Sequence, residues 1–129
     1  MMNRRFGWSE FNGMQTERIF NEDELYRRFL DVWLKGDSTI SSSAFQNTSN
    51  TDEMSVDLAR LTTPEKTVSE YPNYGVGSFL AELARKLGQQ VLHDPIPGNA
   101  AHSKVKGNKT KSIKKKLAKG STVVLFPPK

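Results

Sequence analysis

Two histidines, an aspartate and a crowd of lysines are the residues in this 129-residue chain whose types and spacing could do chemistry. His93 and Asp94 end one short run of alternating apolar and polar residues, and His102 begins another. Between them lies Asp94-Pro95-Ile96-Pro97-Gly98-Asn99, a string rich in turn-forming residues. If Gln89–His93 and His102–Lys106 pair as a hairpin, the two imidazoles stand close together at its mouth. Imidazole titrates near neutral pH, so His93 and His102 beside Asp94, with Lys104 near, could share acid and base roles in cleaving a phosphodiester. Two histidines and an aspartate could also hold a divalent metal. Neither reading has a family-independent motif behind it, and a histidine at a strand end often only bonds a loop. No metal and no cofactor is assigned.

The lysines are the denser signal. Lys104, Lys106, Lys109, Lys111, Lys114, Lys115, Lys116 and Lys119 fall within sixteen residues. Ten basic and fourteen acidic residues precede Pro95, a net −4, whereas Pro95–Lys129 holds nine lysines and no acid, a net +9. Such asymmetry points to an anionic partner. On a helix, Ile113 and Leu117 face one way while Lys111, Lys114, Lys115 and Lys119 fan over the other, a ridge suited to a phosphate backbone. The cluster has no arginine fork to read bases, so contact independent of nucleic-acid sequence is the expectation, with Lys104, Lys106 and Lys109 joining the helix. The same ridge would also serve as a solvated face or meet an acidic protein.

A third pattern is Arg27 or Arg28 followed by Ser41-Ser42-Ser43 and a later glutamate, Glu82. That order is the one used by mono-ADP-ribosyltransferases, by analogy alone. The late Glu-x-Glu is missing, and no acid follows Asp94. Turn and edge-strand hydroxyls account for the serines equally well. Gly75-Val76-Gly77 lacks the spacing of a phosphate or dinucleotide loop.

Composition bounds the rest. A hydrophobic share of 36% with 26% charged residues suits an ordinary globular chain, and the absence of cysteine excludes disulfides and thiolate chemistry. No apolar run reaches membrane-spanning length, and residues 1–20 do not read as a secretion signal, so a cytoplasmic setting without a membrane partner is expected.

The elements that must position these residues follow from periodicity and caps. Asn21 with Glu22, Asp23 and Glu24 looks like a helix start, and Leu25, Phe29, Val32 and Trp33 form an apolar stripe, so the spacing predicts a helix over Glu22–Leu34. Thr39–Phe45 reads as a short strand and Met54–Leu58 as a half-buried one. Thr63 before Pro64 predicts a short helix to about Glu70. Tyr74–Gly77 reads as a connector or brief strand, and Ser78 as the cap of a helix over Phe79–Leu87 that stops at Gly88. Thr110 caps a helix over Lys111–Lys119, and Ser121–Phe126 is a closing strand. The sum is an α+β fold of four or five short strands with three or four helices on one side, over residues 21–129, its basic part at 102–119. Residues 1–20, with Phe6, Trp8, Phe11 and Phe20, form an aromatic arm that could pack on the body or on a partner.

Ile40-Ser41-Ser42-Ser43-Ala44-Phe45, then Met54-Ser55-Val56-Asp57-Leu58, then His93-Asp94-Pro95-x-Pro97-x-Asn99-x-Ala101-His102 occur in that order, followed by Val105-x-Gly107-x-Lys109. This series resembles a group of small uncharacterised bacterial proteins, over roughly Leu25 to Leu125. The resemblance implies a bacterial cytoplasmic domain in which these polar segments recur together, and it carries no activity. The expected function is therefore a small binding protein that meets nucleic-acid phosphates, alone or as a minor subunit of a larger assembly. The alternatives are a toxin-like enzyme built on His93 and His102 or on Arg27 and Ser41–Ser43, and a protein-interaction module.

Overall fold

A computed structural model describes residues 16–129. Phe6, Trp8 and Phe11 of the expected arm lie outside the described residues, and Phe20 is exposed. Six strands form one sheet: β1 (Glu24–Leu30), β2 (Glu53–Leu58), β3 (Tyr74–Leu80), β4 (Gln90–His93), β5 (His102–Lys106) and β6 (Thr122–Leu125). Three α-helices join them, α1 (Pro64–Thr67), α2 (Ala81–Lys86) and α3 (Lys111–Lys119). The strand order is β4-β5-β2-β1-β3-β6, with every neighbouring pair antiparallel.

Alternation decides which side chains are inside. Leu25 and Phe29 of β1, Met54, Val56 and Leu58 of β2, Phe79 of β3, Val91 of β4 and Val105 of β5 share one face. Ala81 and Ala84 of α2, Leu117 and Ala118 of α3, and Ile40, Ala44 and Phe45 of the β1–β2 connection close over them. Phe45 meets Phe79 edge to face at 6.0 Å. Fully buried Leu25, Phe29, Met54, Leu58 and Leu117 each contribute about 2 kcal/mol of apolar transfer. Gly77 leaves room for Ile40 on this face: a Cβ there would meet the tip of the Ile40 side chain, which would have to shift.

The opposite face is polar and carries α1. Thr63 caps α1 by accepting from the Lys66 N–H at 3.1 Å, and Thr67 at its end bonds the buried Asp57 of β2. The helices thus do not all lie on one side, and the described residues hold six strands rather than four or five.

The largest correction is the predicted helix over Glu22–Leu34, which is strand β1 followed by a 3-10 turn at Asp31–Trp33. β1 lies between two neighbours and pairs with β3 along its whole length, from Glu24–Leu80 to Leu30–Tyr74. Those tertiary hydrogen bonds outweigh a local helical preference. Thr39–Phe45 is not a strand either: Ile40 makes one bridge to Leu34, and Ser42–Ala44 is a 3-10 turn capped by Ser41. Ser78 lies within β3 and donates to Glu24 Oε1 at 2.7 Å, so the helix after it starts at Ala81. The strands at Met54–Leu58, Gln89–His93, His102–Lys106 and Ser121–Phe126, and α3 with its Thr110 cap, form as expected.

Candidate functional site

α3 is pinned by Leu117 and Ala118 on its inner side and by Thr110, whose hydroxyl accepts from the Ile113 N–H at 3.2 Å. At 3.6 residues per turn, Lys111, Lys115, Lys116 and Lys119 span the wet side, and all four are exposed. Lys114 falls beside Leu117 and Ala118 and is half-buried, so the outer ridge holds Lys116 in its place. Among the described residues none of the α3 lysines has a carboxylate partner.

The other expected phosphate contacts are placed differently. Lys104 pairs with Glu53 at 3.2 Å, and Lys106 with Asp52 at 3.3 Å and Glu53 at 3.6 Å, all on the sheet face away from α3. Lys109 is buried, and its ammonium donates to Asn47 Oδ1 at 2.6 Å, the Val105 carbonyl at 3.0 Å and the Gly107 carbonyl at 3.1 Å. Burial, with a smaller push from the Arg27 charge, lowers its pKa to about 8. It fastens the β5–α3 loop and offers nothing to a phosphate outside.

The hairpin β4–β5 exists, yet it does not pair the histidines. His93 stands opposite Ser103 and shares its face, whereas His102 stands opposite Asp57 of β2 on the other face. Adjacent strand residues point to opposite sides, so two imidazoles on this pattern cannot serve one substrate. His93 is also fully engaged, accepting from the Glu17 N–H at 2.6 Å through Nδ1 and facing the Ala100 carbonyl at 2.7 Å through Nε2. It ties Glu17 to the hairpin.

His102 lies in a cleft of about 520 Å³ on the polar face, between α1 with the loop after it and the Ile96–Ala101 turn. Arg28, Ser55, Asp57 and Lys66 line the same cleft. Asp57 accepts from Thr67 Oγ1 at 2.9 Å and Asn99 Nδ2 at 2.9 Å, which locks α1 and the turn onto β2. The His102 ring faces the Asp94 carbonyl at 2.8 Å through Nδ1 and Ser55 Oγ at 3.3 Å through Nε2. The Asp94 carboxylate reaches the same Nδ1 at 3.6 Å. The Ser-x-Asp and His-Asp-Pro segments of the sequence therefore meet in space. Sequence reasoning missed Ser55, Arg28 and Lys66 as members of this group, and the phase of the β2 alternation, Ser55 and Asp57 against Met54, Val56 and Leu58, is the signal that would have found Ser55.

The transferase pattern is not assembled. Arg27 points to the core face with Leu25 and Phe29 and donates to the carbonyls of Ala44 at 2.8 Å, Ser55 at 2.8 Å and Gln46 at 3.3 Å. Burial, with the Arg28 charge adding to it, lowers its pKa to about 10. Ser41 caps its own turn, and Glu82 pairs with Lys86 at 3.5 Å on α2. Arg27 is thus a fastener for the β1–β2 connection. Among the described residues no group of three or more acidic or histidine side chains is placed to hold a metal, and no helix is long and apolar enough to cross a membrane.

No protein-family model, no curated protein and no solved structure matches the chain.

Proposed function

We propose that the protein is a small, cytoplasmic binding protein that contacts nucleic-acid phosphates through the outer side of α3, independently of base sequence, alone or within a larger assembly. One observation carries this reading: Lys111, Lys115, Lys116 and Lys119 stand side by side on a helix fixed to the core, with no carboxylate paired to them among the described residues. Ammonium groups carried on a rigid helix that rises about 1.5 Å per residue displace condensed counterions from a phosphate backbone, which favours binding at low salt. Lysine supplies point charges without a bidentate fork, so base discrimination is not expected.

The test is a gel shift with unrelated duplexes and single strands. Wild type is expected to retard all of them alike. Lys111→Gln, Lys115→Gln, Lys116→Gln and Lys119→Gln combined is expected to abolish retardation with the melting temperature unchanged. No retardation by wild type at low salt, or capture of acidic polypeptides alone, would remove the nucleic-acid reading.

A further inference from the structure

The polar cleft supports an activity separate from the basic helix. We infer that Ser55, His102 and Asp94 form a nucleophile, base and positioning set that hydrolyses a small carboxylic ester bearing an anionic group. Three observations carry it. The Ser55 hydroxyl is 3.3 Å from His102 Nε2, within reach of proton transfer once a substrate seats. His102 Nδ1 lies 2.8 Å from the Asp94 carbonyl oxygen and 3.6 Å from its carboxylate. Both are acceptors, so the ring proton belongs on Nδ1 and the Nε2 lone pair faces the hydroxyl, the arrangement that activates a serine. Ser55 and His102 both open into the 520 Å³ cleft, large enough for a small ligand.

The sheet register supplies the rest. Tyr26 of β1 stands opposite Asp57, so Arg28, two residues along, falls beside Ser55. Its guanidinium is held 3.8 Å from the Tyr71 ring centroid and donates once, to the Thr67 carbonyl at 3.2 Å. Arg28 and Lys66 line the cleft without carboxylate partners among the described residues. They are the groups that would hold an anionic substituent or the charge that develops on the carbonyl oxygen. Asp57 accepts from Thr67 and Asn99 and so braces the cleft.

The step balances with water as the only co-reactant. Ser55 Oγ bonds to the ester carbonyl carbon while its proton passes to His102 Nε2. The carbon–oxygen bond to the alcohol breaks, and Nε2 returns the proton to that departing oxygen. Water then attacks the acyl-serine, giving one proton to Nε2, and the acid leaves as Ser55 recovers it.

The probe is a fluorophosphonate, which phosphonylates activated serines, with the adduct mapped by mass spectrometry on the full chain. The expected result is one adduct on Ser55 in folded protein, and none in protein unfolded by heat before the probe is added. His102→Gln should slow labelling at least about a hundredfold with an unchanged circular dichroism spectrum. Asp94→Ala, which keeps the backbone carbonyl, should slow it less, by about tenfold, and displace the pH–rate profile. Mono-4-nitrophenyl succinate should turn over faster than 4-nitrophenyl acetate, and Arg28→Gln should cancel the preference. The four-lysine variant of α3 should label at the wild-type rate, which keeps this test separate from the binding assay. An unlabelled Ser55 in folded protein, or wild-type labelling in His102→Gln, would overturn the inference, as would a faster neutral ester for its anionic part.

Discussion

Arg27 and Lys109 bring two cations inside a chain whose surface would have held them at little cost. Each is satisfied by carbonyl oxygens in place of a carboxylate: Arg27 by Ala44, Gln46 and Ser55, Lys109 by Val105, Gly107 and the Asn47 amide oxygen. Removing such a donor leaves several acceptors unpaired, which is costly. Arg27→Met is therefore expected to destabilise by about 3 kcal/mol, a fall in Tm of about 10 °C by calorimetry. Lys109 makes a pH prediction. Its pKa is about 8 folded against 10.5 ordinarily, so between those values the unfolded chain binds more protons and stability rises with pH. Denaturant melts at pH 7.5 and 9.5 should show wild type gaining on Lys109→Gln by about 2 kcal/mol. Tyr26, whose pKa is raised by burial and by Glu24 and Glu65, works the other way near pH 10, so the comparison belongs below that. Neither inward-facing cation was legible in the sequence, because a lysine among lysines and an arginine beside an arginine carry no mark of the carbonyls that fold around them.

At the scale of elements, β1 shows why part of the fold was hidden. Leu25 and Phe29 are four apart, a spacing that a helix and a strand both satisfy, and Arg27 between them masks the alternation by pointing inward. Asn21, Asp23 and Glu24 looked like helix-starting residues and are used otherwise. Asn21 Oδ1 accepts from Arg85 at 2.7 Å, Asp23 from Arg60 at 3.0 Å, and Glu24 from Ser78 at 2.7 Å. Where local chemistry was self-sufficient the reading succeeded. Thr63-Pro64 and Thr110 cap their helices, although α1 ends at Thr67, short of the expected Glu70, and α3 spans Lys111–Lys119 with Ile113, Leu117 and Ala118 supplying its apolar side. α3 also rests heavily on one buried residue. Leu117→Ala should cost about 3 kcal/mol, read by thermal melting, and weaken phosphate binding as the ridge loosens. Lys114→Gln, half-buried on the inner side, should change binding less than Lys116→Gln in the same titration.

Across the whole molecule the sheet separates two surfaces. One carries α3 and its lysines, which have no carboxylate partner among the described residues; the other carries α1, the Asn99 turn and the cleft at Ser55 and His102. The charge asymmetry was visible in the sequence, but its division was not, because pairing of Lys104 and Lys106 with Asp52 and Glu53 depends on the β2–β5 register. The meeting of the Ser-x-Asp and His-Asp-Pro segments rests on that same pairing. Binding by the α3 ridge is tested most directly by the salt dependence of affinity for a short duplex, followed by fluorescence anisotropy. Four phosphate contacts predict a slope of log K against log salt of about −3.6 for wild type, falling towards zero as the four lysines become glutamine. A flat wild-type slope, or one the substitutions leave unchanged, would contradict it.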